Sequence, residues 1–193
     1  MSVMRVTALT CYPVKGLAGI QIRDCHLASA QLFSNDRRYA LALDEQVKES
    51  WQGPLRRPWA KKRAFANLVN QPALARLAIA YASLESNLKI CHEGKVLVQG
   101  CLQVADDCQR IAQAITAFVK TDKPFQLVEI DQKGQSANGA ATNGSATSGS
   151  TTSGFTDSPY ALLSLVNQAS IEAIGRICGA QIDPARFRAN IMI

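Results

Sequence analysis

Between residues 87 and 100 the chain reads NLKICHEGKVLVQG, with apolar residues alternating on both sides of His92-Glu93-Gly94. A period of two marks a strand with one face on a core, and a glycine-containing break between two such runs predicts a hairpin. The same period recurs upstream. Residues 4 to 14 read as a strand, and so do 19 to 27, where Ile20 and Ile22 alternate with Gln21 and Arg23. RRYALALDE at 37 to 45, RLAIAYA at 76 to 82 and FQLVEI at 125 to 130 give three more.

Elsewhere the period lengthens. From 103 to 120, Val104, Cys108, Ile111, Ile115, Phe118 and Val119 fall on one helical face. Asp106 and Asp107 near the start and Lys120 at the end match the helix dipole. A second helical stripe joins Ile171, Ile174 and Cys178, with Ser170 as N-cap and Gly179 as the stop. Asp183-Pro184 then predicts a turn into a final strand. With period two, Arg186, Arg188 and Asn190 face one way there, and Phe187, Ala189 and Ile191 the other. The pattern as a whole is α+β, mainly β, with two or three helices.

One stretch has neither period. Residues 133 to 154, KGQSANGAATNGSATSGSTTSG, are almost entirely Gly, Ser, Thr, Ala and Asn. Such a segment buries too little apolar area to offset its ordering entropy, so it reads as a linker or loop spanning roughly 25 Å. It divides the chain into residues 1–132, the linker 133–154, and residues 155–193.

Composition adds little to this picture; charge adds more. At 47% hydrophobic and 19% charged, the 193 residues can bury a real core. The net charge of +6 suits an anionic partner such as a phosphate-bearing cofactor. No apolar window is long enough to span a membrane, and the N-terminus reads as a strand rather than a signal peptide, so the expected location is the cytoplasm. The six cysteines form no C-x-x-C and sit near no histidine at ligand spacing, as expected of reduced thiols rather than a zinc site.

Five stretches are candidates for chemistry. YPVKGLAG at 12 to 19 sets Lys15 at a strand end before a glycine turn whose backbone amides suit a phosphate, though it is no P-loop and taken alone reads more readily as a surface lysine in a loop. In SNDRRYAL, Asp36 can orient an arginine, and Arg37 or Arg38 can reach an anion; a purely structural ion pair is the alternative. FTDSPYALLS puts Asp157 and Ser158 before Pro159, which also suits an ordinary turn or helix start. The terminal Arg188 and Asn190 offer a guanidinium fork and an amide to an anion or heterocycle; the spacing alone favours a solvated barrel exterior. RRPWAKKR at 56 to 63 is a basic patch around Trp59. With no RRM, KH or helix-turn-helix signature beside it, it is read as a loop or the rim of an anionic pocket rather than a nucleic-acid surface.

Taken in order, YPVK, DRR-Y-x-L, FTDSP with the SLVNQAS helix, and D-P-x-R-F-R-x-N resemble the MOSC proteins, named for the C-terminal domain of molybdenum cofactor sulfurase. The resemblance is to members with an N-terminal MOSC β-barrel, such as the amidoxime-reducing components and their bacterial counterparts. It implies such a β-barrel-like domain over residues 1–132, the linker, and the first portion of a MOSC barrel over 155–193. It also implies the molybdenum cofactor (molybdopterin), an anionic pterin bearing a phosphate. Lys15 and Arg37 would meet the phosphate; Asp157, Ser158, Arg188 and Asn190 would lie near the pterin. The family usually has serine after the lysine, where Gly16 stands. The implied activity is oxidoreduction, such as reduction of N-hydroxylated compounds with a redox partner protein, or sulfur transfer at molybdenum. A cofactor carrier without catalysis is the alternative, and a basic nucleic-acid-binding barrel a further one. The family's molybdenum-ligating cysteine lies beyond F-R-x-N, so a chain stopping at Ile193 is expected to be a truncated, partner-completed or degenerate form with weak or no activity.

Overall fold

A computed structural model describes residues 4–26, 35–43, 62–129 and 163–193. Among these residues are nine strands and two α-helices, an α+β arrangement that is mainly β. The strands are β1 (Ala8–Cys11), β2 (Ile20–Ile22), β3 (Tyr39–Ala42), β4 (Leu77–Ala82), β5 (Asn87–His92), β6 (Lys95–Cys101), β7 (Gln126–Glu129), β8 (Leu165–Val166) and β9 (Ile191–Met192). The helices are α1 (Ala105–Val119) and α2 (Gln168–Cys178).

The hairpin forms where the alternation places it. His92 pairs with Lys95, which leaves Glu93 and Gly94 as a two-residue loop. Both take positive φ, 49° and 77°, as the tight turn between right-twisted strands requires. β4 extends this pair into an antiparallel meander, β4-β5-β6. Leu77, Leu88, Ile90 and Val98 point from it into the core.

α1 closes over that meander. Asp107 in its first turn accepts the Cys101 backbone N–H at 2.7 Å, tying the helix start to the end of β6. Ile111, Ala112 and Ile115 are buried, and Phe118 and Val119 pack partly against the same core. Val104 precedes the helix in extended conformation and is exposed, so it lies outside the expected apolar stripe. Val14, Leu17, Tyr39 and Leu41 complete the core from the other side. β3 pairs with β7 there, and a parallel bridge from Val14 to Tyr39 joins this pair to the segment that follows β1.

A third sheet has the order β2-β1-β9-β8. β9 lies antiparallel to β1 and parallel to β8, so the two ends of the described chain share one sheet.

Several expectations change here. The strand expected over 4 to 14 is limited to Ala8–Cys11. α2 is capped by Asn167, whose side chain accepts from the Ala169 N–H at 2.8 Å, and Ser170 falls inside the helix. An asparagine one turn earlier satisfies the orphan amide first. Of the expected stripe only Ile171 is buried, with Gly175 beside it; Ile174 and Cys178 are exposed. Gly179 does end the helix, at φ 64°.

The largest correction concerns the C-terminus. Residues Pro184–Phe187 form a 3-10 turn, not a strand. Asp183 caps it by accepting the Ala185 N–H at 2.9 Å, and proline at the first position pre-sets its φ. Arg188 then takes the left-handed region, φ 50°, and the strand is only Ile191–Met192. The two alternating faces therefore do not exist, and Phe187, expected in the core, is 42% exposed.

Candidate functional site

The site begins where β1 ends. Cys11 through Leu17 are all buried. The chain is fixed by Tyr39, whose N–H donates to the Pro13 carbonyl at 3.0 Å and whose carbonyl accepts the Lys15 N–H at 2.8 Å. The Leu17 N–H donates to the Val14 carbonyl at 3.2 Å and closes a turn around Lys15, which is only 6% exposed. Gly16 makes the turn possible, with φ at +87°. A Cβ there would stand 2.7 Å from the Ala66 carbonyl oxygen. The position where the resemblance expects a serine hydroxyl therefore carries backbone packing instead.

A second turn, Asn35 to Arg37, docks on Tyr12. Asn35 and Arg37 both have positive φ. The Arg37 N–H donates to the Tyr12 carbonyl at 2.6 Å, and the Tyr12 N–H donates to Asp36 Oδ1 at 2.7 Å. Asp36 Oδ2 forms an ion pair with Arg37 Nη1. Burial pushes the Asp36 carboxyl above the ordinary carboxylate range, while the Arg37 guanidinium and the Tyr12 N–H pull it back. Arg37 is thus both structurally paired and held in one orientation. Arg38 points elsewhere, to Glu129, whose Oε1 accepts its Nε–H at 2.7 Å.

The C-terminal turn supplies the third wall. Because Arg188 is left-handed, its side chain turns back toward the N-terminal strand. Its Nη1 donates to the Leu17 carbonyl at 2.5 Å, and its Cζ lies 4.4 Å from the Tyr12 ring centroid. The Arg37 Cζ lies over the same ring at 5.2 Å.

Asn190 sits beneath them, 1% exposed. Its Nδ2 donates to the Thr10 carbonyl at 3.1 Å, and its Oδ1 accepts from Arg37 Nη1 at 3.2 Å and Ser164 Oγ at 3.1 Å. Its backbone N–H donates to the Ser164 carbonyl at 2.9 Å, and its carbonyl accepts the Thr10 N–H at 2.8 Å. The amide is engaged by protein on both ends.

Of the residues singled out in the sequence, the Lys15 turn, Arg37, Arg188 and Asn190 are brought together. Asp157 and Ser158 lie outside the described residues, as do residues 56–61 of the basic patch. Tyr12, Thr10 and Ser164 are part of the cluster and were not singled out; the tyrosine stood in plain view beside Pro-Val-Lys.

Chemically, the cluster sets Arg37, paired with the buried Asp36 carboxylate, and Arg188 over one tyrosine ring, beside the turn that carries Lys15. Partly desolvated guanidiniums with planar donor forks suit an oxyanion such as a phosphate. Cys11 adjoins Asp36, and its thiol is pushed up to about 12, first by burial and then by the Asp36 charge. Burial therefore favours the neutral thiol at Cys11. Among the described residues no group of three or more His, Cys, Asp or Glu could hold a metal ion. No helix there is long and apolar enough to cross a membrane.

A family model described as the MOSC N-terminal beta barrel domain matches residues 3–144, most of the chain. The chain therefore belongs to the MOSC family and carries its N-terminal β domain. The family is associated with the molybdenum cofactor. No curated protein matches the chain.

Proposed function

We propose that this chain binds the phosphate-bearing pterin of the molybdenum cofactor, with Lys15, Arg37 and Arg188 as the anion-binding residues. The observation that carries this reading is the convergence of Arg37 and Arg188 over the Tyr12 ring, at 5.2 and 4.4 Å, above a buried Asp36–Arg37 pair. Asp36 already partners Arg37, and the two planar donor forks presented over one ring suit an oxyanion. Arg188 is bonded to the Leu17 carbonyl of the turn that carries Lys15, which in this reading supplies a third cation.

In this reading Arg37 and Arg188 donate to phosphate oxygens, and Lys15 contributes charge. Asp36 and Asn190 fix Arg37 rather than touching the ligand. Asp157 and Ser158 would stand by the pterin. When bound, the molybdenum centre supplies the redox or sulfur-transfer chemistry, and the protein supplies binding, orientation and electrostatics. The parent activity would be reduction of N-hydroxylated compounds, as in the amidoxime-reducing components, or sulfur transfer.

The test is direct. The full chain is purified from cells that make the cofactor, denatured, and assayed for released pterin fluorescence and for molybdenum. Pterin should co-purify with wild type and fall at least tenfold in the Arg37→Glu, Arg188→Glu double variant. Wild type that carries no pterin under conditions that load other molybdenum proteins would refute the assignment.

A further inference from the structure

We infer that Tyr12 is a positioning residue for the site, with its ring acting as the common platform that sets the arrangement of Arg37 and Arg188. This rests on the reading of those arginines as an anion-binding pair.

The ring is the one element both guanidiniums touch in the described contacts, at 5.2 Å for Arg37 and 4.4 Å for Arg188. The negative π face attracts each cation and offsets part of their mutual repulsion before any ligand arrives. Arg37 and Arg188 come from turns far apart in sequence, so no local geometry relates them. Tyr12 relates them, because its own position is fixed at several points. Its N–H is held by Asp36 and its carbonyl by the Arg37 N–H. Its hydroxyl donates to the Ala189 carbonyl at 3.4 Å, next in the chain to Arg188. Gly19 leaves room for the ring: a Cβ there would lie 2.7 Å from Tyr12 Cε1. Burial pushes the phenol above its ordinary range, so the platform is neutral while it faces the two cations.

If the π face is what matters, an aromatic replacement should work and an aliphatic one of similar bulk should not. Tyr12→Phe, Tyr12→Leu and Tyr12→Met are compared with wild type, using full-length chain and inorganic pyrophosphate as the anion in calorimetric titration. Phe should bind within about twofold of wild type, whereas Leu and Met should lose tenfold or more. In parallel, NMR reads the Nε–Hε signals of Arg37 and Arg188. Both should show upfield ring-current shifts in wild type and Phe, and lose them in Leu and Met.

Three results would overturn the inference: tight pyrophosphate binding by Leu or Met, Phe binding as weakly as Leu, or wild-type arginine signals without ring-current shifts. The last needs no variant and stands even if the aliphatic chains do not fold. If wild type fails to bind pyrophosphate while the ring-current pattern holds, the anion-site reading fails and takes Tyr12's role toward a ligand with it, while the contact of the ring with both arginines stands.

Discussion

Arg37 donates to the Oδ1 of Asn190 at 3.2 Å, across 153 residues of sequence. That bond couples the turn that carries one arginine to the segment that carries the other. Asn190 also ties to Thr10 and Ser164, so three separate stretches of chain meet on one buried amide. Its role in the fold is that of a clasp, and its influence on a ligand passes through Arg37.

Asn190→Ala should therefore destabilise strongly. It removes several buried hydrogen bonds and strands the Thr10 carbonyl, with a cost of about 2–4 kcal/mol. Urea unfolding with an unchanged m-value would measure it. A loss below about 0.5 kcal/mol would mean the clasp is not formed.

Gly16→Ser introduces the family's usual residue but should destabilise the turn rather than tighten anion binding. The positive φ and the Ala66 carbonyl leave no space for a side chain, so the expected cost is about 1–3 kcal/mol. Thermal melting checks this. Unchanged stability together with tighter pyrophosphate binding would show that the turn accepts the serine after all.

Arg188→Lys keeps the charge and loses the fork. The lysine cannot stack a planar cation on Tyr12 while also donating sideways to the Leu17 carbonyl. Pyrophosphate affinity should fall by roughly tenfold, or about 1.4 kcal/mol. Calorimetry would show the difference, and equal affinities would remove the case for a bidentate contact.

Thiol chemistry should follow burial. Cys11 is pushed up to about 12 and Cys108 to about 11, each chiefly by burial, whereas Cys178 is exposed. Alkylation at pH 8 followed by mass spectrometry should label Cys178 early, and Cys11 and Cys108 late. The sign of the pH effect follows from the raised folded value. The stability contributed by the neutral Cys11 thiol is complete below its ordinary value of 9.0 and is lost as pH rises from there toward about 12. Cys11→Ala should flatten the alkaline loss in melting temperature, and a slope identical to wild type would contradict the assignment.

Much of the secondary structure was legible because it is local. The β5–β6 hairpin follows from alternation plus Glu93-Gly94, and α1 from one periodic face and a polar start. Periodicity reports which face a segment would bury, and over these lengths neighbouring residues decide that. The α+β, mainly β, class is read from the same signal. The final segment misled because R-F-R-A-N alternates like a strand, while Asp183-Pro184 starts a 3-10 turn that the left-handed Arg188 ends. Capping and φ outweighed periodicity over so few residues.

By itself the sequence determined the residue types of the site and the elements near them: a lysine before a glycine turn, an Asp-Arg pair, and an arginine and asparagine close to the end. Only the tertiary structure decided their relations. It placed β9 against β1, brought Arg188 over Tyr12, and engaged both ends of the Asn190 amide with protein. Those contacts join residues more than 150 positions apart. Their formation depends on sheet order and on a shared buried core, and no local pattern of apolar and polar residues encodes either one.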